Sequence, residues 1–280
     1  MLHLICALKC EAKPLIQHFR LSYNNEATLF PVYLNKDKTV SLTISGTGKI
    51  AASAAVMYAY MLLDTSRTDI WVNTGIGGHR SLTRGQAVLA NKIMDQASGR
   101  SWYPQILFQT TIPATTVMTV DTPATNYNDE VLLDMEAAGF YETVSRFGLA
   151  ELCHSLKIVS DNEASHHGLI NASYVSQSIA GNLDHMDVLV AALFGLANGL
   201  IQPTAGLDKD YEIIISRWHF SQTQRTRLKR LLKRWYLLCP EVPVIADEDA
   251  KYWQNSRAIL EALNARLDRV PFQFGDNPNR

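Results

Sequence analysis

Apolar and polar positions along the chain alternate between short, densely apolar runs and turn-forming clusters, a pattern of buried strands interleaved with helices. Residues 2–8 predict a first buried strand, followed by Glu11 and an amphipathic helix over 12–19. Residues 40–44 predict a second strand, running through Ser45-Gly46-Thr47-Gly48-Lys49 into a small-residue helix over 50–56. Residues 69–72 predict a third strand, ending in the glycine-rich stretch Asn73-Thr74-Gly75-Ile76-Gly77-Gly78. A strand is expected over 84–94, with its buried part at 87–90, and a short one over 115–120 inside a long polar loop, 96–129. A helix-like apolar run opens at Asp134-Met135-Glu136-Ala137-Ala138, another strand covers 156–160 and ends at Asp161, and an apolar helix covers 185–200. Strands followed by glycine turns and helices place ligand-facing groups at the carboxyl ends of the strands of an open α/β sheet.

The last part of the chain reads differently. Residues 211–216, Tyr-Glu-Ile-Ile-Ile-Ser, predict a strand. A helix over 221–238 puts Leu228, Leu231, Leu232, Trp235 and Leu238 on one face and Arg225, Arg227, Lys229, Arg230, Lys233 and Arg234 on the rest. A second helix is expected over 247–269, with Asp247, Glu248 and Asp249 in its first turn. The expected division is 1–205 and a mainly helical extension, 206–280. The basic face is open to two readings, a solvated surface docked on acidic parts of the protein or a polyanion contact such as nucleic acid, the first being favoured.

Composition narrows this picture little. An apolar content of 47% supports a sizeable core, and the net charge of −1 gives the whole chain no electrostatic bias towards nucleic acid or membrane. No uninterrupted apolar run suits a membrane span, and the opening run is too short for a signal peptide. Cys6, Cys10, Cys153 and Cys239 form no CxxC pair and read as reduced thiols of a cytoplasmic protein. No metal site is expected, since the adjacent His166 and His167 make no i, i+4 ligand pair.

Three acids carry candidate chemistry. Glu136 stands at the mouth of a buried run, where an ionised carboxylate is costly unless a ligand or a helix N-terminus takes it. Glu11 follows the first strand directly, as a site residue or as an ordinary first-turn acid. Asp161 at a strand end is a helix cap or a catalytic acid.

Taken together, Ala7-Leu8-Lys9-Cys10-Glu11, the two glycine stretches, Asp134-Met135-Glu136-Ala137-Ala138 and Ser160-Asp161, in this order over residues 1–200, resemble the nucleoside phosphorylase and nucleosidase superfamily. Within it they resemble the hydrolytic branch, the methylthioadenosine/S-adenosylhomocysteine nucleosidases. The resemblance implies a three-layer α/β fold with a mixed central sheet, a homodimer, and cleavage of a purine nucleoside without metal or organic cofactor. It implies Asp161 as the acid that protonates the base, held by Ser160, and Glu11 as the group that orients the attacking water. It implies Glu136 as acceptor for the ribose diol and Met135 as the surface under the sugar, with Gly48, Gly77 and Gly78 shaping the pocket. Phosphorolysis, or binding without turnover, is the alternative. Lys157 stands where that family usually has arginine, and Tyr103, Phe108 and Tyr127 are the candidates for an aromatic wall against the base.

Overall fold

The computed structural model describes residues 1–123, 127, 129–164, 170–200, 206–239, 242–244 and 253–270. His166, His167 and the acidic run 247–249 lie outside them. The chain divides into two compact units, Met1–Leu200 and Ile201–Arg280.

The first unit is built on a ten-stranded mixed sheet. Its strands are β1 (Leu2–Cys6), β2 (Ser22–Tyr23), β3 (Val32–Leu34), β4 (Val40–Ile44), β5 (Ile70–His79), β6 (Ala87–Asp95), β7 (Ser101–Trp102), β8 (Ala114–Thr119), β9 (Leu132–Asp134) and β10 (Cys153–Asp161). β1 lies parallel between β4 and β5, and β5 is also parallel to β10. From β5 the pairing runs through β10, β6, β8 and β9 and returns to β5, so five strands close on themselves. β1 and β4 are buried along their whole length, as strands covered on both faces must be.

Helices cover both faces. Leu15 of α1 (Lys9–His18), Ile179 of α4 (Ala172–Ala180) and Leu189 of α5 (Leu183–Leu200) pack with Leu4, Leu42 and Leu156. Val56 of α2 (Lys49–Leu62) and Phe140 of α3 (Ala137–Val144) pack with Ile5, Trp71 and Val159 on the other side. The fold is thus the three-layer α/β arrangement expected. Among the described residues α5 alone could cross a membrane by length and composition, but Met186, Leu189, Val190, Leu193 and Ala197 lie in the core and Asp184 and Asp187 occupy its start.

The glycine stretch 73–78 is not a turn. β5 continues through it to His79, paired with β10 and β9, and its glycines serve close approach. A Cβ on Gly75, Gly77 or Gly78 would stand 2.7 Å from Glu11, 2.3 Å from Leu132 and 2.2 Å from Tyr127. Gly46 and Gly48, at φ 78° and 101°, do make the expected turn.

The second unit packs α6 (Leu207–Arg217), α7 (Gln222–Leu238) and α8 (Ser256–Leu267) around Ile214, Leu228, Leu232, Trp235 and Leu263. Residues 211–216, expected as a strand, belong to α6. The triple isoleucine favours a strand locally, but Leu207, Tyr211 and Ile214 are buried at helical spacing, and packing overrides propensity. The expected helix over 247–269 is also corrected in its described part: α8 starts at the N-cap Asn255, whose side chain accepts from the Ala258 amide at 3.0 Å.

Candidate active site

The candidate residues gather where the carboxyl ends of β1, β4 and β10 meet the end of β9. Leu8, the N-cap of α1, has no capping side chain, and Glu11 reaches back to fill that role. Its Oε2 accepts from the Ala7 and Leu8 amides at 3.0 and 2.8 Å, and its Oε1 from the Ile76 amide at 3.1 Å. Burial lifts its carboxyl above the usual carboxylate range, although these amides and Lys157 pull the other way. Glu136 is the N-cap of α3, and its Oε1 accepts from the Gly48 amide at 2.8 Å. Burial, with Asp134 and Glu11 nearby, pushes its carboxyl up to about 7 against the pull of Lys157.

Lys157 organises these groups. It lies inside β10, 1% exposed, with its Nζ 2.7 Å from Asp134 Oδ2. Burial would lower the ammonium, but Asp134, Glu136 and Glu11 outweigh it and hold it above its ordinary value. Asp134 is equally committed: the same oxygen accepts from the Glu136 and Ala137 amides, and Oδ1 from the Thr119 hydroxyl. A lysine within Leu156-Lys157-Ile158-Val159 is the signal in the sequence that a buried acid had to lie opposite; the role of Asp134 could have been found from it.

Asp161 ends β10 beside Gly78 in the sheet register. Its Oδ1 accepts from the Ser160 hydroxyl and its Oδ2 from the Tyr127 hydroxyl. Burial, then the Asp161 charge, raises the Tyr127 phenol well above its ordinary value, so it stays a donor. These residues line a cavity of about 180 Å³ with Met135, Gly77 and Gly78. That is smaller than the roughly 300 Å³ at which small-molecule sites begin, and the Tyr127 ring, lying over Gly78, takes up part of the space.

Of the expected site residues, Ser160, Asp161, Met135, Gly77 and Gly78 therefore share one cavity. Glu11, Glu136 and Gly48 do not line it; the two acids meet around Lys157 instead. Of the aromatic candidates, only Tyr127 faces the cavity. Tyr103 is 64% exposed, and Phe108 packs edge-on against His154. No group of three or more metal-ligating side chains occurs among the described residues.

A closed mixed sheet between two helical layers, with buried acids at the carboxyl ends of its strands, is an arrangement this chain shares with solved nucleosidase structures. In particular, the chain is similar to the 5′-methylthioadenosine nucleosidase of Arabidopsis thaliana in its apo form, at a TM-score of 0.55 and 18% identity over 71% of this chain and 96% of that one. It is similar to an MTA/SAH nucleosidase at a TM-score of 0.57 and 15% identity, covering 69% and 96%. The futalosine hydrolase of Helicobacter pylori aligns at 0.53 and 12%, covering 68% and 97%. At these identities the likeness is one of fold. No protein-family model and no curated protein sequence matches the chain.

Proposed function

We propose that the first unit is an N-ribosyl hydrolase acting on a purine nucleoside. The observation that carries the reading is Asp161, buried at a strand end and lining a cavity with Met135, while Glu136 next in the chain keeps a carboxyl near neutrality. In the reaction Asp161 gives its proton to a ring nitrogen of the base. The C–N bond breaks with its electron pair going to the base, and the sugar passes through an oxocarbenium-like state that water captures. Three amides use three of the roughly four acceptor positions on Glu11, which leaves one for that water. Glu136 accepts from the ribose hydroxyls. The Tyr127 and Ser160 hydroxyls both donate to Asp161, so the substrate base must displace the Tyr127 hydroxyl to reach it.

Water is favoured over phosphate because two lysines of this region are committed to acids. Lys157 is paired with Asp134, and Lys49 with Asp95 and Asp121 at 2.8 Å each. A homodimer is part of the reading: Ile50, Met57 and Met61 lie exposed along one side of α2, an apolar surface suited to a second copy. The test is a panel of purine nucleosides assayed for free base with and without phosphate. Release without phosphate is expected. Strict phosphate dependence makes the unit a phosphorylase, and calorimetric binding with no release makes it a binding module.

A further inference from the structure

The two units of the chain differ in charge balance. Residues 1–200 carry 13 Lys and Arg against 17 Asp and Glu, whereas residues 201–280 carry 13 against 10, so the second unit is the basic one. Within it α7 holds Arg225, Arg227, Lys229, Arg230, Lys233 and Arg234, all exposed, and no acid. Arg227 and Arg234 fall on the side towards α8, where Arg234 lies 3.5 Å from Asp268. Arg225, Lys229, Arg230 and Lys233 fall on the side towards α6. With Gln222, Thr226 and Tyr211 they line a groove of about 450 Å³, the Lys229 ammonium 4.6 Å over the Tyr211 ring.

We propose that this groove face of α7 binds the phosphate backbone of nucleic acid, independently of what the first unit does. Arg225, Lys229 and Lys233 recur every four residues, about 6 Å apart along the helix axis. That row suits an anion that repeats regularly, and Gln222 and Thr226 in the same groove offer the neutral hydrogen bonds that phosphates also take. A membrane surface fits less well, because an interfacial helix must keep an apolar side for the lipid. Here Leu228, Leu231, Leu232 and Trp235 are spent on the core of the unit itself. Ser221 caps the helix with its side chain and Gln224 reaches back, so the row is presented on a helix with a well-formed start.

The experiment is fluorescence anisotropy of the full-length protein with labelled single-stranded DNA, single-stranded RNA and duplex DNA between 50 and 200 mM salt. Four phosphate contacts give a log–log salt slope of roughly −2.8 to −3.6, a loss of about 50- to 150-fold in affinity over that range. Arg225→Gln, Lys229→Gln, Arg230→Gln and Lys233→Gln in one protein are expected to abolish binding, while single changes each reduce the slope by about one. Glutamine keeps helix propensity at exposed positions, and circular dichroism verifies the fold. Arg227→Gln with Arg234→Gln is expected to leave the slope nearly unchanged. The proposal is overturned by absence of binding at 50 mM salt, by equal loss in the two variant sets, or by equal affinity for poly-glutamate or for vesicles of anionic lipid. The DNA and RNA arms decide which nucleic acid is preferred.

Discussion

At the scale of single residues, protonation is the controlling variable. Glu136 is held near 7, above the ordinary glutamate value of 4.5, by burial first and by Asp134 and Glu11. Between those values the folded protein binds a proton that the unfolded chain does not, so this group's contribution to stability is present at low pH and lost as pH rises through 7. A ribose diol donates to the ionised form, so riboside affinity should rise between about pH 6 and 8 while affinity for free base stays flat; calorimetry across that range is the check. Glu136→Gln should weaken ribosides far more than bases, and an equal loss for both removes Glu136 from the sugar site. Asp161→Asn should lower base release by about 10²- to 10⁴-fold with binding largely kept. Tyr127→Phe removes the hydroxyl that competes for Asp161 and should tighten nucleoside binding; weaker binding would mean that Tyr127 contacts the substrate instead. Lys157→Met leaves Asp134 buried and unpaired, at a cost of about 3–5 kcal/mol in urea unfolding.

At the scale of elements, tight crossings bring distant groups together. A Cβ on Gly139 of α3 would lie 2.0 Å from the Lys49 carbonyl oxygen of α2, backbone that cannot move aside cheaply. Gly139→Ala should therefore part the two helices, break the Gly48–Glu136 hydrogen bond and destabilise the protein by about 1–3 kcal/mol, read as a lower midpoint of thermal unfolding with weaker riboside binding. The strand expected over 156–160 lengthens to Cys153–Asp161, and that over 69–72 runs on to His79. In both cases pairing partners extend what local hydrophobicity marks out. α4 was not legible: its Val175 and Ile179 are buried, but two apolar contacts among polar residues make a weak periodic signal.

At the scale of the whole molecule, each unit has its own core: among the described residues, Ile214, Leu232 and Trp235 cluster with residues of the second unit. Trp235 is buried, and its Nε1 donates to the Val242 carbonyl at 2.8 Å. Trp235→Ala should cost the second unit about 3–5 kcal/mol and leave nucleoside binding by the first intact. Differential scanning calorimetry of the full chain, with and without ligand, separates the two; loss of nucleoside binding together with the second core would show that the units are not thermodynamically independent.

Local sequence was enough for the elements whose cause is local: the apolar strands, the positive-φ turn at Gly46 and Gly48, the amphipathic α7 and the order of the acids along the chain. Tertiary structure decided whatever depends on partners far away in sequence. It made the Gly75–Gly78 stretch a strand rather than a turn, because β10 and β9 pair with it, and left room there only for glycine, because Glu11, Leu132 and Tyr127 press against it. It turned the isoleucine run of α6 into a helix, because a three-helix core buries one face of it. It placed Glu11 and Glu136 around Lys157, and set Tyr127 on Asp161, because burial of a charge is settled by whichever opposite charge or donor the fold brings within reach.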